Sequence, residues 1–291
     1  GMLAPKFREA VLGHAQVPDV GDDADPADPV GDGPGEAHGL LADLVRWWSL
    51  VRGGTGLGPP DDVLLLRLVP PGPPVPPSRP PVSPAGTQRV SVRAEQPPTD
   101  VEECLGWGRS VAETAADTGV DLLLLTVDDR LPALAVTSSY SRTDAVRTLG
   151  WPTSGAEDAA WTADVAVLRD LLWRLRSLNH PQDVLEATGS PGLIAGTAVL
   201  LASAARRTPV LLDGYGSLVC AMLAARISTA APDWWRIAAA ADDRASADAV
   251  AWLGTTPLIR LGITAQDGTG ALLGLGVLDA VTAPLGEPGE G

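Results

Sequence analysis

Two short runs made almost wholly of aliphatic side chains, VDLLLLT at 120–126 and TPVLLD at 208–213, limit what this chain can become. Both are too short for buried helices and lack the polar alternation of a half-exposed strand. They read as strands buried on both faces, which parallel sheets require. The last third then alternates. LIAGTAVLLASAARR is a helix of small residues that permits close packing. TPVLLD is a strand, YGSLVCAMLAARI a helix, WWRIAAAA at 234–241 a strand and RASADAVAWLG a helix. Strand, helix, strand, helix implies right-handed crossover units on a parallel sheet. The expected fold class is α/β: a Rossmann-like parallel sheet flanked by helices, with ligands gathered beyond the carboxyl ends of its strands.

Earlier segments fit the same plan. DDVLLLRLV at 61–69 is a strand, and RVSVRAE is an edge strand. VEECLGWGRSVAETAADTG is a helix ending at Gly119. AHGLLADLVRWWSLVRG has apolar residues at helical spacing, with Leu40, Leu41, Leu44, Val45, Trp48 and Val51 on its buried stripe. The long helix AAWTADVAVLRDLLWRLRSL buries Leu168, Leu172 and Leu175. Ser138 and Ser139 open a polar stretch, and GWPTSGAED is a loop.

Two segments resist burial. Residues 16–36 are acidic and rich in Pro and Gly, and read as a mobile loop. The Pro-rich connection at 70–84 holds an extended form. It reads as a surface connection, or as a segment for a partner that recognises proline. The domain boundaries follow: an N-terminal helical part over 1–60, and an α/β domain over 61–291 whose last helix joins the small part.

The formal net charge of −15 argues against nucleic acid, although it leaves room for one phosphorylated ligand held by backbone N–H groups. The two cysteines and three histidines show no disulfide or metal-ligand spacing, so no metal or cofactor is expected. GMLAPKFREA lacks the apolar core of a secretory signal. No apolar stretch is expected to span a membrane, and the expectation is a soluble cytoplasmic protein.

Several residues at expected strand ends are candidates for a site. Asp213-Gly214-Tyr215 follows PVLL, where the carboxylate can cap the next helix or touch a ligand. Asp267-Gly268-Thr269-Gly270 precedes the last helix, with no apolar side chain larger than alanine between 264 and 270. Asp267 there is a helix cap or a base. Asp128 and Asp129 follow DLLLL, as turn acids or as a pair for acid–base work. Arg244 in DDRASAD is the best basic candidate for a phosphate or carboxylate. There is no G-x-G-x-x-G fingerprint and no G-x-x-x-x-G-K-[ST] phosphate loop.

These motifs carry a resemblance. The order of the small-residue helix, PVLLDG, a helix with paired alanines, and LIRLGITAQDGTGA at 258–271 resembles the nicotinate-nucleotide–dimethylbenzimidazole phosphoribosyltransferase family. That family shows PVVLDG and, later, L-x-L-G-x-x-x-G-E-G-T-G-A. The likeness extends to 102–126 and LRDLLWRLRSLNHPQDVLEATG. DGPGEAHGLLADLVRWWSLVRG is loosely similar to its P-x-G-S-L-G-x-L helix. The resemblance implies a Rossmann-like large domain, a smaller helical part from both chain ends, and a homodimer. It implies transfer of ribose phosphate from nicotinate mononucleotide to a benzimidazole nitrogen in cobalamin lower-ligand synthesis. The family's general base, the Glu of GEGTG, matches Asp267, one methylene shorter.

The departures bear on function. The family's G-E-M-G-I-G-N-T-T, which holds phosphate, is here TVDDRLPALA, and its early D-H-G-V is absent. Two carboxylates in place of an anion cradle disfavour phosphate. Two readings follow: a catalytically impaired relative that binds a small aromatic or nucleotide-like ligand, or an active transferase with Asp267 as base.

Overall fold

The computed structural model describes residues 5–21, 34–73, 80–82, 89–152 and 158–286. Most of the acidic segment and most of the Pro-rich connection lie outside these residues. Five strands form one parallel sheet: β1 (Val63–Leu68), β2 (Val90–Glu95), β3 (Leu122–Val127), β4 (Val210–Asp213) and β5 (Trp235–Ala239). Their order is β2-β1-β3-β4-β5, and every pair is parallel. Every residue of β1, β3 and β4 is buried, whereas β2 is largely uncovered at its edge. In this order the chain reverses direction across the sheet between β1 and β3. Such a reversal is where a ligand crevice is expected, but the hollow in this chain lies one strand over, beyond the carboxyl ends of β3 and β4.

Eleven α-helices surround the sheet among the described residues: α1 (Pro5–Leu12), α2 (Leu40–Val51), α3 (Val101–Asp117), α4 (Arg130–Ser141), α5 (Ala145–Leu149), α6 (Asp158–Leu175), α7 (Pro181–Thr188), α8 (Pro191–Ala205), α9 (Gly214–Ile227), α10 (Arg244–Leu253) and α11 (Thr269–Gly286). Alternation along each strand splits the core in two. Leu64, Leu66, Leu123, Leu125 and Leu212 point to the face covered by α3, α8 and α9. Leu65, Leu124, Leu211 and Ala238 point to the face covered by α2 and α11. The small residues of α8 do what their size allows. Gly108 of α3 lies so close that a Cβ there would stand 2.7 Å from the Ala195 carbonyl oxygen.

Four sequence expectations are corrected. The polar stretch that Ser138 and Ser139 open begins inside a helix: both sit within α4, where Ser138 is buried and donates to the Thr143 carbonyl at 2.5 Å. Leu40 is 39 % exposed because it starts α2, and Leu41 is half-buried, while Trp47 is buried and donates to the Asp233 carbonyl at 2.9 Å. On α6 the fully buried positions are Val165, Leu168, Leu171 and Leu175, so Leu172 sits at the flank of the stripe. Finally, α11 is 18 residues long with a mean hydropathy of 1.4, enough by length and composition to cross a membrane. Its Leu272, Leu275 and Leu278 pack instead on the sheet and on α2.

Candidate active site at the carboxyl edge of the sheet

Arg67, Thr126 and Asp213 stand side by side in register on β1, β3 and β4, on the face covered by α11. All three are buried. Above them passes the turn that carries Asp267, Gly268, Thr269 and Gly270. Gly268 has φ +91, a conformation that disfavours side chains, and a Cβ there would also meet Leu65 Cδ2 at 2.6 Å. At Gly270 a Cβ would stand 2.5 Å from Asp213 Oδ1. Glycine at these two positions lets the turn lie directly on the strand ends.

Asp213 does not cap the helix that follows it. Its side chain makes no cap bond to α9, and Oδ2 instead accepts the Ala271 N–H at 3.0 Å, at the start of α11. Burial pushes its pKa up to about 7; the Ala271 and Gly270 N–H groups pull against this, and the Asp267 carboxylate adds to it. Asp267 Oδ1 accepts from Thr269 twice, from its N–H at 3.0 Å and its hydroxyl at 2.6 Å. Two carboxylates therefore serve the first turn of α11, where unpaired N–H groups and the helix dipole favour negative charge.

Asp128 and Asp129 lie between β3 and α4. The Asp128 N–H donates to the Leu68 carbonyl at 2.8 Å, which ties the end of β3 to β1. Asp129 accepts the Ser190 hydroxyl at 2.5 Å, and Ser190 Oγ in turn caps α8 by accepting the Leu193 N–H at 3.2 Å. Burial raises both acids' pKa values. For Asp128 the Arg67 charge opposes the rise. For Asp129 the Ser190 bond opposes it and the Asp128 charge adds to it.

A hollow of 240 Å³ opens here, lined by Val127, Asp128, Asp129, Arg130, Tyr215, Gly216, Thr264 and Gln266. The structure thus brings Asp128, Asp129 and Tyr215 to one wall. Asp213, Gly214, Asp267, Gly268, Thr269 and Gly270 do not line it; they adjoin the lining residues Tyr215 and Gln266 in the chain. Tyr215 donates its hydroxyl to Asp243, which caps α10 through the Ser246 N–H at 2.8 Å. Arg244 is not brought in: its guanidinium pairs with Asp248 one turn along α10, at 2.9 Å. A larger groove of 620 Å³ lies elsewhere, between α2 and the amino-terminal end of β5, away from these carboxylates.

Sequence reasoning missed Gln266, Ser190, Arg67 and Arg130. Gln266 rests its amide on Gly214, and its buried Oε1 has no hydrogen-bond partner among the described residues. Its position beside Asp267 was the available signal. Ser190 before Pro191 is a helix-start signature. Nothing in DDVLLLRLV marks Arg67 as more than an interruption.

A family model described as phosphoribosyltransferase, DBI_PRT, matches residues 82–288. The chain belongs to the nicotinate-nucleotide–dimethylbenzimidazole phosphoribosyltransferase family. The relative from Streptomyces avermitilis that carries this name is 35 % identical over 206 residues, 69 % of this chain and 55 % of the relative. The one from Mycobacterium tuberculosis is 32 % identical over 182 residues, 61 % of this chain and 50 % of the relative. The chain spans about half the length of the curated relatives it matches. Among solved structures, CobT from Thermus thermophilus superposes with a TM-score of 0.71 at 19 % identity, over 87 % of this chain and 92 % of that one. A second Thermus thermophilus structure of a family enzyme gives 0.68 at 16 % identity, over 97 % and 96 %. Identity this low speaks for the fold alone.

Proposed function

We propose that this member of the family is catalytically impaired and binds a small aromatic ligand at the carboxyl edge of its sheet. The acid pair in the hollow carries the reading. Where the family motif G-E-M-G-I-G-N-T-T provides glycine and hydroxyl groups, this chain lines the wall with Asp128 and Asp129. The Gln266 acceptor on the same wall adds to them. Such a surface disfavours phosphate and suits a ligand that donates N–H groups. The volume of 240 Å³ falls below the roughly 300–1,000 Å³ of drug-sized sites, which favours a single ring system over a nucleotide. The same reading takes the protein as a homodimer, which sedimentation equilibrium tests.

A second reading, active phosphoribosyl transfer with Asp267 as general base, draws on one observation. Asp267 lies over the strand ends, next to a second carboxylate. Against it, both Asp267 contacts go to Thr269 and serve the helix start. Calorimetry with nicotinate mononucleotide and 5,6-dimethylbenzimidazole, each alone, separates the two. The impaired reading expects heat from the benzimidazole and none from the nucleotide. Binding of both, with nicotinate released on mixing and lost in Asp267→Asn, would establish the transferase instead.

A further inference from the structure

We propose that Asp213 is a proton-controlled latch on the turn at 264–271, seated when its carboxyl is protonated and loosened when it ionises. The inference does not depend on what occupies the hollow. Asp213 is 3 % exposed at the end of β4, and its side chain crosses to a helix 58 residues later in the chain. Gly270 is pressed on its Oδ1, and on Ala239 of β5, with no room for a Cβ against either. Among the described residues, Asp213 is thus the titratable side chain that hydrogen-bonds the end of this turn to the sheet.

The neighbours leave that group under a single like charge. β3 offers Thr126, β5 offers Ala239, α9 offers Gly214, and α11 offers Gly270 and Ala271, none of which titrates. Asp267 on the turn is the charge that acts on it; Arg67 stands at the same register two strands away, and Arg236 of β5 and the Asp279–Arg89 pair of α11 lie farther along this face. Asp267 acts directly and disfavours the ionised form. Protonated, Asp213 keeps a carbonyl oxygen to accept the Ala271 N–H. Ionised, it is a buried charge beside another of the same sign, which lifting the turn into water would relieve.

The sign follows from linkage. The seated form binds the proton more tightly than an opened form, where the carboxyl returns to its ordinary value near 3.8. Opening therefore becomes easier as pH rises from that value, about tenfold per pH unit, and levels off once the seated form has ionised. Thr264 and Gln266, carried by the same turn, form part of the hollow's wall, so the wall loosens with the latch.

Hydrogen exchange of the Ala271 and Leu272 amides in the full chain, corrected for intrinsic exchange between about pH 5 and pH 8, tests this. Protection should fall about tenfold per pH unit and flatten near 7, the value at which seated Asp213 ionises. In Asp213→Asn it should stay high and flat. Flat protection in the wild type, or a step that survives in Asp213→Asn, overturns the proposal. Should Asp213→Asn fail to fold, Asp267→Asn decides. The levelling point should then move to lower pH, because the like charge is gone. A step that vanishes assigns the titration to Asp267, and one that does not move denies their coupling; either result overturns the latch.

Discussion

Gly216 and Val127 meet backbone to backbone: a Cβ on Gly216 would stand 2.0 Å from the Val127 carbonyl oxygen. The first turn of α9 thus lies directly against the end of β3, and both residues line the hollow. Gly216→Ala must push the helix off the strand. The expected loss is about 3 kcal/mol, the upper end for overpacking a close contact. The chemical-denaturation midpoint measures it. An alanine variant as stable as the wild type would mean that α9 sits farther from the sheet.

Asp267 has a structural role that can be separated from any chemical one. Asparagine keeps an oxygen for the Thr269 N–H, and alanine does not. Asp267→Ala should cost about 1 kcal/mol in urea denaturation and Asp267→Asn much less, as for other helix-start residues. Equal losses would show that the charge, rather than the acceptor, stabilises the start of α11.

Ser190 serves two partners with one hydroxyl group, capping α8 and donating to Asp129. Ser190→Ala should lower stability by about 1 kcal/mol, the usual value of a helix cap. It should also raise the Asp129 pKa further, because burial would then act without the bond that opposes it. Carbon-13 NMR titration of the carboxyl groups reads the second effect. An unchanged Asp129 titration would deny the contact.

Asp121, at the amino-terminal end of β3, is a carboxyl held below its ordinary range. Burial acts to raise its pKa, but the Asp61 N–H, the Arg52 guanidinium and the Asp62 N–H together bring it below the ordinary value of 3.8. A depressed carboxyl stabilises the fold above the unfolded-state value, and that contribution disappears as pH falls through the folded-state value. Asp121→Asn should therefore narrow the stability gap between neutral and acid pH, as thermal melts from about pH 2 to pH 6 would record. A variant with the wild-type acid profile would remove Asp121 from this role.

The strands were legible because their burial is local information. LLLLT and PVLL carry no polar face, so they belong inside a parallel sheet whatever follows. WWRIAAAA was harder to read because of its alanines, whose small size serves a contact the sequence hides: they sit against Gly274 and Gly270 of α11. The acids at 128, 129, 213 and 267 could be placed at strand or helix ends, as motif spacing allows. Their partners could not. Asp213 binds a helix 58 positions away, and Asp129 binds Ser190 across 61 positions. No periodicity encodes a contact of that span. Ser138 and Ser139 misled for a related reason. A hydroxyl that bonds a backbone carbonyl can be buried in a helix, although its composition resembles a loop.

In chain order α11 comes after all five strands, yet with α2 it covers the face of the sheet that carries Leu65, Leu124, Leu211 and Ala238. During synthesis the part of that face beneath α11 stays wet until this helix leaves the ribosome. Five paired strands with leucines left bare on one face are the kind of half-finished product that sticks to its neighbours. A chain cut before residue 269 should therefore aggregate rather than form a smaller working domain.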